Sequence, residues 1–294
     1  MDVFDPEYEL YVSASQLSTW RLCNRKWWLE KMACAVTEDK GYFTFGTVLH
    51  AVLERWLRAD DRGVDPGTGE PVELYPEDWH KAEDSGVPVS LAEQLLIKKL
   101  VTKAIDEGIV RRLPGREIEA EFSRTLVDDV GIVGFIDVAL PGGVEDHKSI
   151  GNFRYALGPE QLQQDPQLLL YLHEGILRLE EAGKPVPDKM FVRHNQFGKD
   201  TKRPRVTFAE GWVKPDAARK AWAEAQRDAA VMLEQSRTLT HWTEAPEPPT
   251  AGQACRKYGG CDFIDICTGR RTITEHNAHT ETLNSYRSQL SHRS

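Results

Sequence analysis

Apolar residues recur at helical spacing through Val48, Leu49, Val52, Leu53, Trp56 and Leu57, which predicts a helix over about 45–60 with one buried face. A second helix is predicted over 166–182. Asp165 is its N-cap, Pro166 its first residue and Gly183 its stop. Further helices are expected at about 13–33, 90–111 and 215–237. The period then shortens to two. Residues 130–140 alternate and are rich in β-formers, Pro141-Gly142-Gly143 signals a turn, and Val144–Lys148 opens a second strand. Lys189–Gln196 and Arg205–Phe208 read as another strand pair. Residues 1–12 form an acidic leader, and 61–88, rich in Gly, Pro and Asp, form a long loop placed to gate a site. Residues 243–252 run extended, with three prolines.

The 130–148 hairpin carries the chain's most distinctive chemistry. Asp146 and Lys148 are two apart and leave one face of their strand, while Asp137 enters from the paired strand. Two carboxylates and an ammonium at one end of a hairpin suit divalent-metal chemistry on a phosphate. The carboxylates hold Mg²⁺ or Mn²⁺, the metal lowers the pKa of a bound water, and the lysine orients that water or neutralises charge on phosphorus. Asp-x-Lys alone is a common chance pattern, so a surface hairpin with two acids and a lysine is the competing reading. His50 sits at the flank of the 45–60 apolar stripe, either as a ligand reaching a sheet or as a core-edge histidine. Gly46 lets that helix's first turn approach another backbone. Gln167 and Tyr171, one turn apart, share a face.

In order and spacing, His50, Asp137, Asp146-x-Lys148 and Gln167-x-x-x-Tyr171 resemble the RecB-like branch of the PD-(D/E)XK nuclease superfamily. The resemblance runs from about Ser13 to Cys267, with Glu121 matching an acidic residue that often precedes the Gly-x-x-Asp strand. It implies an α/β fold with a restriction-endonuclease-like core, a central mixed sheet flanked by helices. It also implies metal coordination by the side chains of His50, Asp137 and Asp146 and by the backbone carbonyl of His147. Lys148 would be the catalytic lysine, with Gln167 and Tyr171 positioning the lysine or the DNA. The implied activity is a Mg²⁺- or Mn²⁺-dependent deoxyribonuclease, an exonuclease rather than a site-specific endonuclease. Its substrate would be single-stranded DNA or end-containing duplex in recombination or repair, with a recombination or helicase partner, in the cytoplasm. A catalytically silent DNA-binding or assembly module is the alternative, disfavoured because a scaffold has no physical need for His50, Asp137, Asp146 and Lys148 together.

Five cysteines add a second candidate centre: Cys23, Cys34, Cys255, Cys261 and Cys267. With no signal peptide and no membrane-length apolar run, clustered thiols read as metal ligands rather than disulfides. The even spacing of the last three does not fit paired Cys-x-x-Cys zinc knuckles. It resembles iron–sulfur nucleases of the AddB and CRISPR-adaptation type, which implies a [4Fe–4S] cluster held by Cys23, Cys255, Cys261 and Cys267, in preference to zinc. The cluster would join the N- and C-terminal segments of a single nuclease domain, 1–267. Cys34 is left as a buried thiol. Residues 268–294 are polar and are expected to be a disordered or partner-docking tail.

Net charge is −9, from 37 basic against 46 acidic residues, which argues against a protein that coats DNA. A nuclease needs only a local basic surface, for which Arg21, Arg25 and Lys26 and the run Lys199–Arg205 are candidates. Trp20, Trp27 and Trp28 either stack on bases or pack in the core, and their helical spacing favours the core.

Overall fold

The computed structural model describes residues 8–37, 42–82, 86–246, 255–256 and 260–291. Its elements, in chain order, are β1 (Leu10–Val12), α1 (Ala14–Leu22), α2 (Asn24–Lys31), α3 (Tyr42–Arg58), α4 (Leu91–Asp106), β2 (Glu117–Val127), β3 (Val130–Leu140) and β4 (Gly143–Ile150). Then follow α5 (Pro159–Leu162), α6 (Pro166–Glu181), β5 (Met190–Gly198), β6 (Val206–Val213), α7 (Pro215–Thr238), α8 (Ile264–Cys267) and α9 (Ile273–Ser291). The strands form a mixed sheet in the order β1-β3-β4-β5-β6, with β2 also paired to β3. β3 and β4 are an antiparallel hairpin, and β4 and β5 run parallel, with Asp146 beside His194 and Lys148 beside Gln196. That parallel step needs a long crossover, which α6 supplies.

By its internal contacts the chain divides into two compact units. One comprises Met1–Lys40, Ser123–Gly134 and Ala223–Arg293, and the other Gly41–Phe122 and Phe135–Trp222. In the second unit the apolar stripe of α3 (Val48, Leu49, Val52, Leu53) packs with Leu96, Ile97, Leu100 and Val101 of α4 against Ile118, Val138, Phe197 and Val206 of the sheet. Complete burial of a leucine or valine contributes about 1.5–3 kcal/mol, so this layer fixes α3 on the sheet. At Gly46 the helix comes close to the end of β4, since a Cβ there would lie 3.2 Å from Ser149 Oγ.

In the first unit the predicted helix 13–33 breaks into α1 and α2 at Cys23, whose extended backbone lets its sulfur accept the Lys26 N–H at 3.4 Å. Trp27 and Trp28 are buried, and Trp20 Nε1 donates to Gln235 at 3.1 Å, so the tryptophans are structural. The basic residues beside them are engaged as well. Arg21 pairs with Asp228, Arg25 donates to the Ala245 carbonyl, and Lys26 lies 3.5 Å from Glu30.

The tail expected to be disordered carries α9. Its hold is polar: His276 and Thr280, one turn apart, are buried, and His276 contacts Asp265 at 3.0 Å and the Val36 carbonyl at 2.9 Å. Hydrogen-bonded core residues of this kind are invisible to an apolar count. Of the 243–252 segment, Trp242–Glu244 begins with a 3₁₀ turn, and residues 247–252 lie outside the described residues. In the 61–88 loop the described residues carry only the isolated bridges Val64↔Pro71 and Lys81↔Pro88. No helix among the described residues is long and apolar enough to cross a membrane.

Candidate active site

All seven residues expected at the catalytic centre fall in one unit, gathered by α3, the β3–β4 hairpin and α6. Alternation along β4 sends Asp146 and Lys148 to one face and Glu145 and His147 to the other. Asp137 stands one step beyond the Val138↔Glu145 pair of the hairpin, which brings it opposite Asp146. Its Oδ2 accepts the His147 N–H at 2.6 Å. From α3, His50 Nε2 donates to the His147 carbonyl at 2.7 Å, and its Nδ1 lies 3.7 Å from Asp137 Oδ2. The helix-flank histidine therefore reaches both the carboxylate and the carbonyl that the sequence resemblance paired with it.

Lys148 Nζ lies 3.0 Å from Asp146 Oδ1 and donates to Gln167 Oε1 at 3.2 Å. Gln167 Nε2 in turn donates to Tyr171 Oη at 2.8 Å. Both sit on the first turns of α6, which starts where it does because Asp165 caps it, accepting from Leu168 N at 3.0 Å, and because Pro166 fits the first helical position. Burial alone would lower the Lys148 pKa, but Asp146 and Asp137 outweigh it and hold the ammonium above the usual lysine range. Burial pushes the Tyr171 phenol up to about 12, with the two carboxylates adding to it, so it keeps its proton. Burial, then His50, pushes the His147 imidazole down to about 3 and keeps it neutral.

A divalent cation fits these donors. One ligand atom each from His50, Glu119 and Asp137 lie within 4.8 Å of one another. Asp146 Oδ2 is buried without a hydrogen bond, with the Lys148 ammonium at 3.0 Å and the His194 imidazole, its pKa lowered by burial, at 3.5 Å. Hard carboxylate oxygens with one imidazole match Mg²⁺ or Mn²⁺ chemistry.

Glu119 was missed from sequence, where Glu121 was matched instead. Glu121 is exposed, and its carbonyl accepts from Arg178 at 2.8 Å. Glu119 has a left-handed backbone (φ 49°) within β2, a conformation that no periodic reading anticipates. Burial, then Asp137 and Glu54, raises its pKa to about 7. His194 was missed too; only the β4–β5 register places it beside Asp146.

Behind the site, on the opposite face of β4, lies a buried polar network. Asn195 Nδ2 bridges Glu145 Oε2 at 3.1 Å and His147 Nδ1 at 3.3 Å. Arg193, 2% exposed, donates to Asn195, to Glu210 and to the Ile109 carbonyl. This network holds the His147 imidazole, while Asp137 and His50 hold its peptide N–H and carbonyl.

The cysteines belong to the other unit. Cys23, Cys255, Cys261 and Cys267 are half-buried, whereas Cys34, expected to be buried, is exposed with a left-handed backbone (φ 49°). Burial raises the Cys23, Cys261 and Cys267 thiols, Cys267 to about 11, and these three also feel one another's charge or that of Cys255. The Cys261 N–H donates to the Cys255 carbonyl at 2.9 Å, and Cys261 and Cys267 pack against Leu29, Phe263 and Ile266. Among the described residues no three of these sulfurs lie within 4.8 Å of one another. The Zn–S bond of about 2.3 Å would require sulfurs roughly 3.8 Å apart, so a preformed tetrahedral zinc site is absent from these residues.

No curated protein matches the sequence. Among solved structures, the chain is similar to a candidate exonuclease from Eubacterium rectale, with a TM-score of 0.53 and 11% identity over 92% of this chain and 94% of that one. At that identity the likeness shows the fold alone. The model of the PD-(D/E)XK nuclease superfamily matches residues 11–268. With that match spanning most of its length, and with the acidic pair, the lysine and the mixed sheet that bears them in place, the chain belongs to the PD-(D/E)XK nuclease superfamily.

Proposed function

We propose that the protein is a metal-dependent DNA exonuclease that hydrolyses phosphodiester bonds at the site built by His50, Glu119, Asp137, Asp146 and Lys148. The observation that carries this reading is the Lys148 ammonium, held 3.0 Å from Asp146 and 3.2 Å from Gln167 beside a carboxylate–imidazole group of metal-ligand spacing. His50, Glu119, Asp137, Asp146 and the His147 carbonyl are the ligands. A bound Mg²⁺ or Mn²⁺ supplies an acidified water and offsets phosphate charge.

The chain's own residues do the rest. Lys148 stays cationic and donates toward charge developing on the phosphate, and a preorganised donor of this kind is worth about 10²–10³ in rate. Gln167, anchored by the protonated Tyr171 hydroxyl, holds the lysine in place. Asp137 and His50 pin the His147 peptide so that its carbonyl faces the ligand group. The neighbour's description as an exonuclease supports action on DNA ends, as in recombination or repair, over internal cleavage.

The proposal includes a [4Fe–4S] cluster on Cys23, Cys255, Cys261 and Cys267. Its support is that these four lie in one unit and interact electrostatically with one another.

End-labelled single- and double-stranded DNA with Mg²⁺ or Mn²⁺ tests the activity. Wild-type protein releases nucleotides progressively from an end. Lys148→Ala loses about 10²–10³-fold in rate or more while its melting temperature stays near wild type. Cleavage by Lys148→Ala at the wild-type rate sinks the assignment.

A further inference from the structure

β4 and β5 are parallel neighbours, and both end just past the catalytic residues, where open α/β sheets bind ligands. Beyond Lys148, β4 continues to Ile150 and then into a 3₁₀ turn, Phe153–Tyr155. Beyond Gln196, β5 ends at Gly198 and turns back into β6 through Lys199–Arg205. The two turns are joined. The Lys199 N–H donates to the Ile150 carbonyl at 2.9 Å, the Gly198 N–H donates to the Arg205 carbonyl at 2.8 Å, and Gln196 Nε2 donates to the Leu157 carbonyl at 2.9 Å. Phe153 lies directly on the backbone of Gly198, where a Cβ would come within 2.7 Å of its ring.

This joined edge carries Arg154, Lys199, Lys202, Arg203 and Arg205 against the single carboxylate of Asp200, in a chain of net charge −9. Among the described residues, Arg154, Lys202, Arg203 and Arg205 have no carboxylate partner, unlike Arg21 and Lys26 in the other unit. The cations alternate with aromatic rings. Arg205 lies over Phe153 at 4.3 Å and Arg154 over Tyr155 at 4.5 Å. Tyr155 is 64% exposed, so its ring is stiffened by Arg154 yet open to a further flat partner. Exposed aromatics interleaved with unpaired cations are how proteins bind single strands, because a base offers its face only when it is unpaired.

We propose that Arg154, Tyr155 and Arg205 form a track for single-stranded DNA beside the active site, Tyr155 stacking on a base and the two arginines contacting phosphates. The inference rests on the nuclease reading and narrows its substrate to a DNA strand unpaired at this point.

The test measures binding without cleavage. Wild-type and variant full-length protein are titrated in EDTA against a fluorescent single strand of roughly 20 nucleotides and against the blunt duplex of the same sequence. Stacking worth about 1–3 kcal/mol per base predicts that Tyr155→Ala weakens single-strand binding by about 5- to 150-fold. Tyr155→Phe stays within about twofold of wild type, and the duplex is affected far less. Arg154→Ala with Arg205→Ala lowers the slope of log affinity against log salt by about 1.4, from roughly 0.7 per phosphate contact on a single strand. Wild-type single-strand affinity in Tyr155→Ala overturns the track, as does an equal loss for the blunt duplex. If these losses occur but the wild-type protein cleaves no DNA with Mg²⁺ or Mn²⁺, the nuclease reading fails and the track stands.

Discussion

The carboxylate–lysine site and the cysteine group both collect residues far apart in the chain, but by different means. At the site, backbone ladders do the collecting. The β3–β4 hairpin sets Asp137 against Asp146, the parallel β4–β5 register sets His194 beside Asp146, and capped α6 sets Gln167 under Lys148. His50, Asp137 and Asp146 are each held by a hydrogen bond that forms without a metal. The cysteines have no such frame. Cys23 sits at a break between two helices, Cys255 precedes α8, and among the described residues the three C-terminal cysteines are linked by a single backbone hydrogen bond, Cys261 to Cys255. Where the backbone pre-forms a site, losing a ligand costs function. Where it does not, the bound centre contributes to folding, and losing a ligand costs stability.

The largest effect that would break this contrast is at the cysteines. Cys23→Ser, Cys255→Ser, Cys261→Ser and Cys267→Ser are each expected to lose iron, sulfide and visible absorbance. Each should destabilise the protein by about 4 kcal/mol or more, a fall in melting temperature on the order of 10 °C. Cys34→Ser, on the surface, shifts the melting temperature by a degree or so. Iron retained in full by Cys23→Ser but lost from Cys34→Ser would move the fourth ligand to Cys34.

Next in size is the network behind the site. Arg193→Met leaves Glu145 buried beside fewer cations and is expected to cost about 3 kcal/mol in denaturant unfolding. Adding Glu145→Gln removes the uncompensated charge and restores most of the loss. If the double variant is as unstable as the single one, Arg193 matters through packing rather than charge.

The smallest effect, and the one that sharpens the picture of a pre-formed site, is at Glu119. Its carboxyl is raised from 4.5 to about 7, so the folded protein holds this proton more tightly than the unfolded chain does. Stability from the neutral form is complete below pH 4.5 and is lost as pH rises through about 7. A divalent cation competes for the same oxygen. Metal addition near pH 6 is therefore expected to release close to one proton by calorimetry in two buffers, and affinity should rise with pH up to about 7 and then level off. Glu119→Gln should abolish both the proton release and that pH dependence. Proton release unchanged in Glu119→Gln would place the titrating group elsewhere.

Much of the candidate site's geometry was legible in the sequence because local rules place it. A turn signal fixes a hairpin, a two-residue spacing puts Asp146 and Lys148 on one face, and an Asp-Pro start phases Gln167 and Tyr171 on α6. The helix bearing His50 was equally plain from its apolar stripe. What could not be read depended on departures from period or on partners distant in the chain. Glu119, rather than Glu121, stands beside His50 and Asp137 at metal-ligand spacing. His194 and Asn195 gained their roles from a parallel register that no local pattern encodes. The break at Cys23, the division into two units and the packed polar turns of α9 were likewise decided by tertiary contacts. Sequence alone determined the chemistry available and the faces on which it stands, since periodicity and capping act within a few residues. Only the tertiary structure decided which of those groups meet, since strand register and buried hydrogen bonding are set between segments that the chain itself keeps far apart.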